Sequence, residues 1–275
     1  MTFKLLLEII RKFINRNKFN YLASRKIKSG QVNLHWYRLS EKVQNVGDFL
    51  SPFVVDYMKK QKSVCDNTAS KGTQHLLAIG SVIDSSYQNS VVWGSGLIRE
   101  NRKYWWRFVR KLDVRAVRGP ETRRVLIENG YSCPEVYGDP AILMPLIYMP
   151  EKTEKEYDYK IIYNYGYVYS KENVLLPLVY DWKSFIDEIV KCKLVISSSL
   201  HGIILAEAYG IPAIMLKSPL NTFKFRDYYY STERYDFPVA NTIEEALTME
   251  PPPLPNLDKL RQGLIDSFPY DIWKN

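Results

Sequence analysis

Short apolar runs alternate with helical stretches along this chain, and most of those runs end in Gly, Ser, Asp, Arg or His. That alternation constrains the fold most. Strands are expected over 32–38, 75–79, 91–93 and 113–117, with helices over about 48–60 and 120–129. Pro120 suits a first helical turn and Gly130 a stop. A short run at 135–137 ends in Gly138-Asp139-Pro140. Pro145, Pro150 and mixed charges over 145–160 mark a boundary between two halves. The second half repeats the rhythm: strand 160–165, helix 181–191, strand 194–196, helix 201–209, strand 212–216. Strands alternating with helices imply parallel sheets with helices on both faces. The expected fold class is therefore α/β, with two Rossmann-like lobes facing a cleft. Residues 1–28 form a basic amphipathic segment, 29–147 the N-terminal lobe and 148–275 the C-terminal lobe. In open α/β sheets ligands bind outside the carboxyl ends of the strands, so a small-molecule site is expected there.

A chain of 275 residues can bury a core without staples. Cys65, Cys133 and Cys192 are far apart and odd in number, and they read as three buried thiols of a reducing cytoplasm rather than a disulfide or zinc framework. No apolar run approaches the ~20 residues that span a bilayer. Glu8 interrupts the first apolar stretch and no small-residue cleavage site follows, so a secretory signal is not expected.

The formal net charge is +8, and it is localised. Residues 1–38 alone carry +8, residues 99–124 carry +7, and the remainder is acidic at −7. Localised basicity suggests an anionic partner. Leu5, Leu6, Ile9, Ile10 and Phe13 recur at helical spacing, with Arg11, Lys12 and Arg16 mostly off the stripe. Such a segment either lies on an anionic membrane surface or packs its stripe on the protein's own core. No nucleic-acid motif accompanies it, so nucleic acid is not an expected partner.

The sharpest chemical feature is Ser198-Ser199-Leu200-His201-Gly202, between a strand and a helix. The serines can cap the helix, and the free amides and dipole there attract an anion. His201 then stands beside bound phosphate or carboxylate as an acid or base; the bland alternative is a capping turn with a locally bonded histidine. Arg118, at another strand end, either holds an anion bidentately or pairs with a nearby acid. Asp48, in Asn45-Val46-Gly47-Asp48, is either a helix N-cap or a partner of His201, a part Asp139 could also take. The turn Gly94-Ser95-Gly96 could let backbone approach a ligand, although tight turns need glycine anyway. His35 and His75 lie in apolar runs and read as structural. No GxGxxG, Walker A, HExxH or GxSxG motif is present, and no metal site is expected.

In this order, the stretches Asn45-Val46-Gly47-Asp48, Ile79-Gly80-Ser81, Trp93-Gly94-Ser95-Gly96, Val117-Arg118-Gly119-Pro120, Tyr137-Gly138-Asp139-Pro140, the run from Ile196 to Pro212 and Lys224-Phe225-Arg226-Asp227-Tyr228 resemble the polysaccharide pyruvyl transferase family. The likeness covers about residues 30–230, and it is nearest to members that act in capsule or exopolysaccharide assembly. It implies a GT-B-like fold and phosphoenolpyruvate as donor, with no separate cofactor. The acceptor would be two hydroxyls of a sugar, closed into a cyclic pyruvate ketal, in a glycan carried on a polyprenyl diphosphate. That places the protein in the cytoplasm, peripheral to the inner face of the membrane. The resemblance also implies roles for His201 and Arg118. Relatives often carry Arg just before Leu-His-Gly, where this chain has Ser199. The donor's anionic groups must then be met by Ser198, Ser199, Leu200 and Gly202 together with a cation from elsewhere, Lys217, Lys224 or Arg226. Asn45, Gly47, Gly94, Ser95, Gly96 and Asp139 would line the cleft or acceptor side.

One rival is a nucleotide-sugar glycosyltransferase of the same shape, which would use the same anion site for a diphosphate. The other is a non-catalytic binder of membrane or nucleic acid, against which the strand-end Arg and His argue.

Overall fold

The computed structural model describes residues 28–38, 44–86, 89–100, 111–151, 154–164, 172–179, 181–217 and 222–274. The expectation for residues 1–27 lies outside them. The first half contributes β1 (Val32–His35), β2 (Gln44–Asn45), α1 (Val46–Phe49), α2 (Ser51–Gln61), β3 (Gln74–Leu77), β4 (Ser90–Trp93), β5 (Leu112–Ala116) and α3 (Pro120–Glu128). A 3-10 turn, Pro140–Leu143, runs into α4 (Met144–Ile147). The second half follows with β6 (Tyr157–Ile162), β7 (Leu178–Val179), α5 (Trp182–Val190), β8 (Cys192–Ser197), α6 (Leu200–Ala208), β9 (Ala213–Leu216), α7 (Phe223–Ser231), β10 (Val239–Ala240), α8 (Ile243–Thr248) and α9 (Asp258–Asp266).

Two four-stranded sheets result, ordered β1-β3-β4-β5 and β10-β9-β8-β6, with every pair parallel. Their central strands β3, β4, β8 and β9 are almost wholly buried, as helices on the sheet faces require. A short antiparallel pair, β2 with β7, links the halves. The buried cluster that includes Val54, Leu76, Trp93, Ile204 and Tyr229 draws on both halves.

Several expectations shift. The helix expected from about residue 48 begins at Val46 and is broken at Leu50. Pro52 has no N–H to return to the Asp48 carbonyl, so the ladder cannot run through. Asp48 is therefore inside α1 rather than capping it; Asn45 holds the cap position, with no side-chain capping bond. Strand β6 starts at Tyr157, inside the stretch read as a boundary. Its outward Asp158 pairs with Lys193 of neighbouring β8 at 2.8 Å, and that alternation of charged and aromatic residues hides the strand from an apolar-run criterion. Residues 135–137 make one parallel bridge, Val117 with Tyr137, rather than a strand. Pro134 offers no ladder donor and Gly138 turns the chain at φ +140°. Cys65 is exposed, whereas Cys133 and Cys192 are buried.

The C-terminal segment, grouped by sequence with the second half, returns to the first sheet. Trp93 Nε1 donates to Leu264 O at 2.9 Å, Trp273 bridges Ala69, and Arg115 pairs with Asp271 at 2.8 Å. His75 is buried, with Nδ1 2.8 Å from Ser90 Oγ and its ring 5.4 Å from that of His35. Burial, then the neighbouring His35, pushes its pKa down to about 3, which fits a structural, neutral imidazole. Among the described residues, no helix is long and apolar enough to cross a membrane.

Candidate active site

The strand-end residues converge. Helix α6 is buried along its whole length, the mark of a helix fixed inside a core. That burial holds His201, on its first turn, against the first half of the chain. His201 Nε2 lies 3.5 Å from Asp139 Oδ2, and both atoms are buried without a hydrogen bond. Asp139 is anchored from its other oxygen, where Oδ1 accepts the Ala141 amide at 3.1 Å. Buried polar atoms left unpaired are costly, and this facing pair stands at ion-pair distance without a hydrogen bond.

The other edge of the imidazole is fixed by a close approach. A methyl group on Gly47 would overlap the His201 ring at Nδ1. Gly47 is thus required by the histidine rather than by backbone conformation. Next to it, Asp48 is buried, with Oδ2 accepting from Asn45 Nδ2 at 2.6 Å. Burial pushes the Asp48 pKa up. His201 and the Asn45 bond oppose that, Asp139 adds to it, and Lys224 opposes it. Four groups from distant parts of the sequence, Asp48, Asp139, His201 and Lys224, therefore share one electrostatic neighbourhood. A buried carboxyl biased toward its neutral form beside a histidine is the kind of arrangement that carries proton transfer.

Arg118 is fully buried, and its fork is occupied from within. Nε donates to Asp227 Oδ2 at 3.0 Å, Nη1 to Ser81 Oγ at 2.7 Å and Nη2 to Leu97 O at 2.8 Å. Gly96 is pressed against the guanidinium, and a methyl there would overlap it. Asp227, which the sequence reading gave no role, also accepts from the Thr122 amide at 2.8 Å and hydroxyl at 2.6 Å. The structure thus realises the ion-pair alternative for Arg118. Nothing local in the sequence pairs positions 118 and 227.

The remaining candidates separate clearly. Ser199 occupies the α6 N-cap position without a side-chain cap, and the Ser198 hydroxyl accepts the Asn164 amide at 3.1 Å. Ser197, which was not singled out, organises the turn: its hydroxyl donates to Ile162 O at 2.9 Å and accepts the Ser199 amide at 3.0 Å. Gly202 lies against that same hydroxyl. The Leu200 side chain is in the core, which leaves its amide for any ligand. Ser95 is spent on Gly80 O at 2.8 Å, and Gly94 lies against Pro140. Arg226 pairs with Glu121 at 2.8 Å and Glu100 at 3.2 Å, and Lys217 donates to Asn241 at 3.2 Å. Of the three cations, Lys224 is the one beside Asp48 and Arg118. A cavity of about 390 Å³ opens at the opposite, amino ends of the first sheet, lined by Lys71, Gln74, Asn89 and Lys111. None of the residues above reaches it.

Parallel sheets whose carboxyl ends gather a histidine, carboxylates and cations define an α/β protein with an enzyme-like site. The family model for polysaccharide pyruvyl transferase matches residues 7–218, and the chain belongs to that family. It is thereby a pyruvyl transferase of polysaccharide synthesis. The match takes in His201, Asp139, Asp48 and Arg118 and stops before Lys224. The chain is 27% identical, over 218 residues, to an uncharacterized protein of Acanthamoeba polyphaga mimivirus, covering 72% of this chain and 73% of that one. A functionally uncharacterized protein of Klebsiella pneumoniae aligns with a TM-score of 0.49 at 15% identity, over 78% of this chain and 93% of that one.

Proposed function

We propose that the protein moves pyruvate from phosphoenolpyruvate onto two hydroxyls of one sugar in a glycan, closing a cyclic ketal. The observation that carries this reading is the buried His201–Asp139 pair, 3.5 Å apart, beside Asp48 at the uncapped start of α6. The donor is a phosphate plus a carboxylate. The first-turn amides of α6 and a neighbouring cation suit those two anions.

A proton delivered to the donor's methylene carbon turns it into a methyl group and leaves an oxocarbenium-like centre at the adjacent carbon. One sugar hydroxyl attacks that carbon and loses its proton. The second hydroxyl then displaces phosphate, loses its proton and closes the ring. His201 is the acid and base for these transfers, oriented by Asp139. Asp48, whose burial favours the protonated carboxyl, replenishes or takes the proton. The sugar-bearing face lies on the Asn45–Gly47 side of His201, in a cleft between two lobes of GT-B type.

The test is incubation with phosphoenolpyruvate and a panel of polyprenyl-diphosphate-linked and free glycans, read by product mass and phosphate release. Ketal formation with phosphate release supports the reading. Nucleotide release from a sugar nucleotide, with no use of phosphoenolpyruvate, replaces it with a glycosyltransferase. We further propose that the basic, apolar-striped segment 1–28 holds the enzyme on the inner membrane surface, where a lipid-linked acceptor would be met. Full-length protein is then expected to co-sediment with anionic vesicles at low salt and to be released by high salt. Indifference to anionic lipid would assign the stripe to the protein's own packing.

A further inference from the structure

We infer that Lys224 is the cation that holds the anionic donor in this site, an assignment that rests on the phosphoenolpyruvate reading and sharpens it. Its helix is clamped on every other side. Asp227 is held by Arg118 and Thr122, Arg226 by Glu121 and Glu100, and Phe223 and Phe225 are buried. Those anchors hold the first turn of α7, and with it the backbone from which the Lys224 side chain departs. Among the described residues, no carboxylate lies within ion-pair distance of its ammonium, which stands 5.2 Å from the centroid of the Phe225 ring.

The charged groups that face it are Asp48 from α1, which attracts it, and Arg118 from the β5–α3 loop, which repels it. Asp227, the acid of its own helix, is paired with Arg118. Burial pushes the Asp48 pKa up, against the pull of His201, Asn45 and Lys224. The neighbourhood thus holds a half-buried ammonium with no carboxylate at ion-pair distance among the described residues. There, attraction to a phosphate or carboxylate is stronger than in open water, and part of the cost of desolvating the ammonium is met on folding rather than on binding. An ammonium also suits a tetrahedral phosphate as a point charge. Lys217 and Arg226 lack this combination, since one binds Asn241 and the other pairs through Nη2 with Glu121 and Glu100.

Burial, then Arg118, lowers the Lys224 pKa to about 8, against the pull of Asp48. Below that value the ammonium is present and the donor is held; as pH rises through it, the charge and the donor affinity are lost.

The experiment measures binding of phosphoenolpyruvate and of inorganic phosphate to the full chain by calorimetry, for wild type, Lys224→Gln, Lys224→Arg, Lys217→Gln and Arg226→Gln, with circular dichroism to check folding. Lys224→Gln is expected to weaken phosphoenolpyruvate binding ~10–100-fold, as loss of one charge-assisted contact does, and Lys224→Arg to restore most of it. In turnover, KM for the donor rises while KM for the acceptor holds. The alkaline limb of wild-type kcat/KM, which reports the free enzyme, falls near pH 8 and is absent in Lys224→Gln. If Lys224→Gln binds the donor as wild type does, or if Lys217→Gln or Arg226→Gln carries the loss instead, the assignment is overturned. Should Lys224→Gln not fold, Lys224→Arg and the wild-type pH profile decide; no alkaline limb near pH 8 overturns it. Wild-type protein that binds phosphate but not phosphoenolpyruvate overturns the donor reading itself.

Discussion

His201→Ala is expected to lower pyruvyl transfer by ~10²–10⁴, the usual cost of losing a general acid or base, with the fold retained. The side chain is packed at the edge of the site rather than bonded into the core: Nε2 has no hydrogen bond, so its removal breaks none. A second variant tests the same geometry without touching the histidine. Gly47→Ala places a methyl group on the imidazole. The ring must rotate or withdraw from Asp139, and turnover should fall toward the His201→Ala level although every ionisable group is still present. Steady-state rates with matched near-ultraviolet circular dichroism check both. Near wild-type turnover in a folded His201→Ala protein removes His201 from the mechanism. Full activity in Gly47→Ala shows that the ring's placement over Gly47 is not the working one.

The second large effect is on stability. Asp227→Ala leaves the Arg118 guanidinium buried without its carboxylate. Stranding one member of a buried pair costs ~3–5 kcal/mol, which for a chain of this size is a drop in Tm on the order of 10 °C. Thermal unfolding of Asp227→Ala, Arg118→Ala and the double variant gives the coupling. The double variant should be less destabilised than the two singles added, because the uncompensated charge is then gone. Additive losses would mean that the pair contributes nothing specific. Arg118→Lys separates the two meanings of this residue. It keeps the charge but cannot reach Asp227, Ser81 and Leu97 together, so stability must fall. If KM for phosphoenolpyruvate rises as well, the guanidinium also shapes the donor site. If KM is unchanged, Arg118 serves α7 alone.

These expectations bear on why some of the site could be read from the chain. His201, Asp48 and Arg118 were visible because each ends a strand or opens a helix, and parallel sheets collect such positions at one edge. Asp139 was visible for the same reason, through Gly138 before it and Pro140 after it. Ser197 was not, because its role depends on where a hydroxyl turns, here to Ile162 and Ser199, which the serine run does not distinguish from its neighbours. The three basic residues offered for the donor were equivalent on the page of sequence. They were told apart only by their partners: Asn241 for Lys217, Glu121 and Glu100 for Arg226, and no acid within reach for Lys224 among the described residues.

What the sequence determined by itself is whatever short-range rules control. Apolar runs bounded by Gly, Ser and Pro produced the strands, helical spacing produced Pro120–Glu128, Trp182–Val190 and Leu200–Ala208 to within a residue or two, and their alternation produced parallel sheets. Tertiary structure decided what those rules cannot carry. Arg118 meets Asp227 across 109 positions. Trp93 of the first sheet donates to Leu264, so the C-terminal helix serves that sheet. Gly47 lies under a ring 154 positions later in the chain. Each of these contacts joins segments whose local preferences are satisfied without the other, so no local pattern announces the pairing; it is fixed only when the two sheets close on the shared core and a buried charge or ring has one place left to go.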